Sequence, residues 1–419
     1  MPLDELAAAV TDARARTLAL IADLSDAQLV GARLATVNPL GWEVGHVAWF
    51  QEKWVLADEP QYVLAADALY DSSAIPHEVR WDLPLPDRAA TLAFLDDVRR
   101  RVLARLPALD AYFVRLSVFH EDMHDEAFTY TRQTHGHPAP RFAYTHINDA
   151  GPLPGDVDVP GGSFSLGARQ DDEPFVFDNE KWAHAVEVRP FQIARAAVTQ
   201  GEFAAFTDDG GYATRALWSD AGWRWRLSAD AHAPVYWRKD GAAWLRRDFD
   251  RDVPLEPHRA MIHVAWYEAE AFCRWAGRRL PSELEWEVAA AGEPDGAGGL
   301  APRKRRFPWG DAPPDPSRAN LDWRAGGCVD VGALPAGDSA FGCRQLIGNA
   351  WEWTASPFQP YPGFVADPYR DYSAPWFGTH RVLRGGCWAT RARLLRNTWR
   401  NFYTPDRRDV WSGFRTCAP

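Results

Sequence analysis

At 419 residues the chain is longer than one hydrophobic core usually supports, so two domains are expected. A hydrophobic share of 46% fits an ordinary globular protein, and a formal charge of −11 argues against a nucleic-acid partner. No stretch approaches the roughly 20 apolar residues of a membrane span, no basic-then-apolar leader opens the sequence, and the five cysteines form no C-x2-C pair, which together predict an unexported cytoplasmic protein with reduced thiols and no membrane partner.

In chain order, Ala-, Leu-, Arg- and Asp-rich segments at about 3–24, 39–57, 87–106 and 109–133 carry apolar residues at three- and four-residue intervals, the pattern of four helices in an antiparallel bundle. The turn-forming run from Asn148 to Asp156 then reads as a linker, with the domain boundary placed at 150/151. Residues 157–419 are rich in Gly, Pro and Trp. They predict short strands at 185–188 and 381–384 and helices chiefly at 199–207 and 266–276, an irregular α+β domain.

Chemistry concentrates in the helical half. His120 and His124 stand four residues apart in a helical pattern, which puts both imidazoles on one face where they can share a metal ion. His46, in a second predicted helix, is the natural third ligand, and Asp125 and Glu126 are candidates to orient the rings by accepting their other N–H. Ligand type alone leaves zinc, iron, nickel and copper open. His77, His135, His137 and His146 have no partner at ligand spacing and are read as structural.

Asn38–His46 followed by His120–Glu126 resembles the DinB-like iron-binding bundle in the sulfoxide synthases of ergothioneine biosynthesis. Independently, Val159–Phe164, Thr199–Phe203, His263–Cys273, Arg279–Glu287, Pro308–Asp311, Gly348–Thr354 and Arg384–Trp388 resemble the formylglycine-generating-enzyme (sulfatase-modifying factor) fold, a C-type-lectin-like α+β architecture. The resemblance covers nearly the whole chain, and the pairing of the two domains in this order is more specific than either alone. The expected fold is therefore a DinB-like four-helix bundle over 1–150 followed by a formylglycine-generating-enzyme-like domain over 151–419.

The resemblance implies a mononuclear non-haem Fe(II) enzyme that uses O2 to join a sulfur or selenium donor to C2 of the imidazole of hercynine. It implies His46, His120 and His124 as the metal ligands. In the loop from Thr398 to Arg408 it places Asn401 and Phe402 at the carboxylate and trimethylammonium of hercynine, and Arg407 at the donor; otherwise Arg407 and Arg408 form a surface charge pair. Arg80, in the connection between the second and third helices, either binds an anionic part of a substrate or is solvated. Two departures bear on the donor. Tyr403 stands where synthases using γ-glutamylcysteine carry Asp, and Met123 replaces a Gln between the paired histidines. A phenol gives an ammonium group no counter-charge, so a cysteine-type thiol or a selenosugar, the donor of the related selenoneine synthases, becomes the expectation. Tyr403 and Tyr361 are the candidate proton donors, unless they serve only packing.

Three rival readings remain. A formylglycine-generating oxidase needs a cysteine pair after the Arg-Gly-Gly motif, and none lies between Trp388 and Arg415. A zinc- or nickel-dependent DinB-type thiol transferase has no use for the large second half. A non-catalytic binding module has none for three histidines.

Overall fold

The structure is a computed structural model describing residues 2–59, 61–170 and 173–419. The chain divides into two compact units, Met1–Phe142 with Asp248–Arg251, and Ala143–Arg247 with Asp252–Pro419. The change of unit thus precedes the turn-rich run 148–156.

The first unit holds α1 (Leu3–Ile21), α2 (Asp26–Val30), α3 (Leu40–Val55), α4 (Val63–Tyr70), α5 (Arg88–Arg105) and α6 (Ala111–His135). The four long helices match the sequence expectation to within a few residues, and α2 and α4 are short additions in the connections. Asp87 and Asp110 cap α5 and α6 by accepting from the amides of Ala90 and Tyr112, and α6 ends on Gly136 in the left-handed region (φ 66°) that glycine adopts freely. Leu6, Val10, Val55, Val98, Val102, Val114 and Val118 fill one end of the core. Further along, the interior turns polar. Arg14 on α1 pairs with Glu121 on α6 at 2.7 Å, and Thr17 donates to both Glu121 and Asp125 at 2.8 Å. Phe249, from the short excursion of later chain, donates its amide to Gln133 of α6 at 2.6 Å.

The second unit contains β1 (Asp156–Val159), β2 (Gly162–Leu166), β3 (His184–Val188), β4 (Phe191–Ala194), α7 (Gln200–Asp208), α8 (Asp220–Ser228), β5 (Trp237–Asp240), β6 (Ala243–Asp248), β7 (Arg251–Pro254), α9 (Trp266–Trp275), α10 (Glu283–Ala291), β8 (Trp351–Pro357), β9 (Arg381–Arg384), β10 (Asn401–Tyr403) and β11 (Ser412–Gly413), the last residues of β6 and first of β7 being counted with the first unit. Its largest sheet runs β10-β9-β8-β11, antiparallel except for the parallel β8/β11 pair; β1-β4, β2-β3 and β5-β6-β7 form smaller sheets. α10 lies at the centre of the core, with Trp286 and Val288 fully buried.

With so much backbone in loops, charged groups buried in the core tie the segments together. Arg415 grips Glu352 through two 2.7 Å contacts while Trp286 donates to the same carboxylate at 2.7 Å. Glu283 takes Arg400 at 2.6 Å, and Glu287 takes Lys304 and Arg384. All five cysteines are buried thiols, and among the described residues no helix is long and apolar enough to cross a membrane.

Removing one member of such a pair strands a buried charge. Glu352→Ala is expected to lower stability by about 3–5 kcal/mol, read from urea midpoints, with Arg415→Ala costing a similar amount. His263, packed between Tyr236 and Trp411 with ring centroids 4.7 and 4.5 Å away, has its pKa pushed down to about 3, chiefly by burial. The unfolded chain takes up this proton near pH 6.5 and the folded one does not, so stability falls with pH between those values by about 1.4 kcal/mol per unit. His263→Phe should flatten this slope, leaving a wild-type excess loss of roughly 2 kcal/mol between pH 6.5 and 5; parallel slopes would contradict the assignment.

Candidate metal centre

His46 occupies the middle of α3, an almost wholly buried helix whose turns also carry Trp42, Trp49 and Phe50. Its ring is sandwiched by Trp42 (centroids 4.9 Å apart, 14° between planes) and Trp49 (5.2 Å). Both indoles reach α4, donating to Leu69 O and Asp67 Oδ1 at 2.6 Å. His46 Nδ1 lies 2.7 Å from the carbonyl oxygen of Tyr70, the last residue of α4. Only an N–H makes that contact, so in the neutral ring Nε2 is left with a bare lone pair. Gly45 permits this approach: a Cβ there would come within 2.2 Å of the buried Tyr70 ring.

His120 and His124 project from one face of α6, ring centroids 4.5 Å apart, and Phe50 lies flat on His120 at 3.6 Å. His46 and His120 bring their Nε2 atoms to 3.3 Å, and one nitrogen from each of the three rings falls within a 4.8 Å span. His124 Nδ1 sits 3.2 Å from Glu43 Oε1. Burial, then repulsion from His124, hold His46 and His120 well below the ordinary histidine pKa, His120 being further lowered by His46. Both are 5% exposed or less, whereas the His124 side chain retains 19%, so the cluster opens on that ring's side.

These residues fit a divalent metal. Two imidazoles bound at about 2.1 Å with angles between 90° and tetrahedral stand roughly 3.0–3.4 Å apart, which brackets the His46–His120 separation. With His120 in its Nδ1–H tautomer the two Nε2 lone pairs converge, an arrangement that a cation between them satisfies; in the other tautomer His120 Nε2–H donates to His46. A three-imidazole set also leaves coordination positions open for other ligands.

The carboxylate that reaches His124 comes from Glu43, which the sequence reading did not single out. Asp125, expected to orient a ring, takes the Thr17 hydroxyl. Met123 lies half-buried between the paired histidines. Arg80 is not solvated: its guanidinium donates to Asn38 Oδ1 at 2.7 Å and to the carbonyls of Ser72 and Ile75, and lies 4.1 Å over Trp42. It clamps the chain after α4 onto α3.

The remaining sequence candidates belong to the second unit. Asn401, Phe402 and Tyr403 form β10, paired with Leu383, Val382 and Arg381. Phe402 stacks on Phe358 at 4.1 Å, and Asn401 Oδ1 accepts its neighbour's amide. Arg407 is tied to Asp409 by contacts of 2.6 and 2.7 Å and lies 5.1 Å over the Tyr403 ring. Arg408 lies over Trp225, 3.8 Å from the buried Glu268. Tyr361 belongs to the core, its hydroxyl 3.4 Å from Glu283 and its ring 4.1 Å from the Arg400 guanidinium. Burial, reinforced by Glu283, keeps that phenol protonated.

Comparison with known proteins matches both halves. Residues 9–135 match the DinB superfamily, and residues 143–418 match the sulfatase-modifying factor enzyme 1-like domain. The chain is 41% identical to a hercynine oxygenase of Mycolicibacterium thermoresistibile, covering 98% of this chain and 94% of that protein. It is 39% identical to one of Mycobacterium tuberculosis, covering 98% of each. A formylglycine-generating enzyme of Streptomyces coelicolor is 35% identical over 63% of this chain and 88% of its own length.

If the three rings form one site, protein loaded with a divalent metal and then dialysed should retain a single tightly held equivalent by elemental analysis. His120→Ala and His124→Ala should each lose it, while His77→Ala, whose ring contacts Val37 O at 3.0 Å, should keep it. Tight retention by His124→Ala would remove that residue from the ligand set.

Proposed function

The chain belongs to the hercynine oxygenase family of ergothioneine-type biosynthesis, an enzyme family joining a DinB bundle to a sulfatase-modifying-factor-like domain, and we propose that it is an Fe(II)- and O2-dependent enzyme bonding a sulfur or selenium donor to C2 of the hercynine imidazole. The observation that carries this reading is the convergence of His46, His120 and His124 on one point in the bundle. Bound there, ferrous iron would supply the redox chemistry that lets O2 act as oxidant and would gather the reactants.

The chain's own residues prepare the centre. Tyr70 O and Glu43 hold Nδ1 of His46 and His124, turning the other nitrogens inward. Trp42, Trp49 and Phe50 cover the rings and exclude water, which disfavours protonation and keeps the imidazoles neutral. Asn401 and Phe402 are proposed to hold the carboxylate and trimethylammonium of hercynine, the second through its aromatic face. Met123 is proposed to pack against the substrate ring, where it offers no hydrogen bond. Tyr403 is the proposed proton donor in preference to Tyr361, whose hydroxyl faces Glu283 in the core.

Donor choice follows from charge. Arg407 is already neutralised by Asp409, and Tyr403 is a phenol, so the loop offers little to a zwitterion. A donor without an ammonium group, such as a selenosugar, suits it best, with a cysteine-type thiol as the second choice.

Anaerobic iron reconstitution followed by oxygen-uptake assays tests the reaction, with products identified by mass. Oxygen consumption should require hercynine together with a donor, and the coupled product should carry the donor atom on C2. Transfer indifferent to O2 would favour a thiol transferase and sink the oxidative reading. Tyr403→Asp should move preference towards ammonium-bearing donors by roughly tenfold or more, the worth of one buried charge pair; an unchanged donor ranking would refute the role given to this loop.

A further inference from the structure

Glu43 is a carboxylate in a helix otherwise made for the interior. It is 3% exposed, within a run of α3 where residues 42–52 are all buried. Its Oε1 is shared, accepting from Asn38 Nδ2 at 3.3 Å and lying 3.2 Å from His124 Nδ1. Its Oε2 is buried with no hydrogen-bond partner. Arg80, whose guanidinium donates to Asn38 Oδ1 at 2.7 Å, is coupled to Glu43 electrostatically, with Asn38 hydrogen-bonded to both.

A buried carboxylate with one oxygen unsatisfied costs several kcal/mol unless positive charge stands close by. The unit contains such a place. Three neutral imidazoles would bring no negative charge to a bound dication, and Glu43 touches one of them.

We infer that Glu43 is the positioning residue of the metal centre: through the Nδ1–H of His124 it fixes that ring with Nε2 bare and turned inward, and it supplies the negative charge that the three neutral imidazoles lack. The three ligands are then held by different means. His46 donates to a backbone carbonyl, His120 is pinned flat against Phe50, and His124 leans on a carboxylate, which raises its basicity as a ligand. α3 thereby builds two of the three ligand positions, His46 directly and His124 across the helix pair. The Asn38–Arg80 contacts hold Glu43 in place from behind. This assignment rests on the metal-dependent reading proposed above.

Metal affinity and metal-free stability together test it. Wild type, Glu43→Gln and Glu43→Asp are stripped of metal, titrated with Fe(II) or Co(II) against a chromophoric chelator, and melted without metal. Glu43→Gln keeps the shape and loses the charge, so its affinity should fall about 10–100-fold. Its metal-free Tm should hold or rise, because an incompletely satisfied buried charge has gone. Glu43→Asp keeps the charge but is one methylene short of His124, and should also bind at least tenfold more weakly, with an altered Co(II) absorption spectrum. A glutamate serving only the fold would show the opposite pattern, a lower metal-free Tm with unchanged affinity. Wild-type affinity in Glu43→Gln overturns the inference, and if that variant does not fold, wild-type affinity in Glu43→Asp does so. Absence of metal binding in the wild type would instead defeat the proposed function itself.

Discussion

Imidazoles packed together in a dry interior can coexist only as neutral bases, and the first unit is organised around meeting that condition. Desolvation disfavours the charged form of each ring, and every protonated neighbour would disfavour it further. His46 and His120, both almost fully buried and 3.3 Å apart at Nε2, obey both terms. What remains is to choose the tautomer, since a neutral ring with its proton on the wrong nitrogen is no ligand. α4, a helix of eight residues, bears on that choice: its final carbonyl contacts His46 Nδ1, and Trp42 and Trp49 donate to it from α3. The close approach depends on Gly45, where a Cβ would strike the Tyr70 ring.

The second unit meets a different constraint. Its sheets are small and its loops long, so apolar contact alone holds few segments in register. Buried arginine–glutamate pairs do that work: Glu283 takes Arg400 and Arg384, Glu287 takes Arg384 and Lys304, and Glu352 takes Arg415, with the Arg400 and Arg415 pairs bidentate. Such pairs add little net stability over well-packed hydrophobic groups, because both charges are desolvated. They confer geometry, since a fork of two hydrogen bonds fixes orientation where a methyl contact does not.

This difference explains what could be read from the sequence. The long helices of the bundle follow apolar period closely, and the histidine pair follows from its four-residue spacing. In the second unit α7 and α9 lie where the sequence predicts helices, but α8 and α10 are hidden. α8, running Trp223-Arg224-Trp225-Arg226-Leu227, alternates with period two as a strand would, and α10, Glu283-Leu284-Glu285-Trp286-Glu287-Val288, does the same. In α10 the alternation misleads because Glu283 and Glu287 are interior residues satisfied by arginine and lysine, so polarity no longer marks the solvent face. The capping box of Ser282 and Glu285 was the available signal for that helix. Glu43 was legible too: a lone carboxylate in a run of Trp, Val, Ala and Phe implies a buried charge, and a buried charge implies a partner. Which partner depends on how α3 meets α6, and no local pattern states that. The attachment of Asp248–Arg251 to the first unit is likewise a long-range fact, carried by Phe249 and Gln133.

Aromatic content illustrates how far composition can carry a functional argument. A trimethylammonium ligand needs the face of an aromatic ring, and the chain has 21 Trp, 12 Tyr and 21 Phe. In the folded protein many of those faces already hold a cation: Arg400 lies over Phe358 and Tyr361, Arg381 over Trp266, Arg408 over Trp225, Arg407 over Tyr403 and Arg80 over Trp42. A ring so occupied gains little from a second cation, which would have to be brought up against the first. Abundance therefore does not mark a binding site. What distinguishes a candidate such as Phe402 is that its stacking partner is another ring, Phe358, whose guanidinium contact is made by Arg400 from the core. Recognition of a quaternary ammonium depends on which faces the arginines leave uncovered, a property of packing that residue counts do not contain.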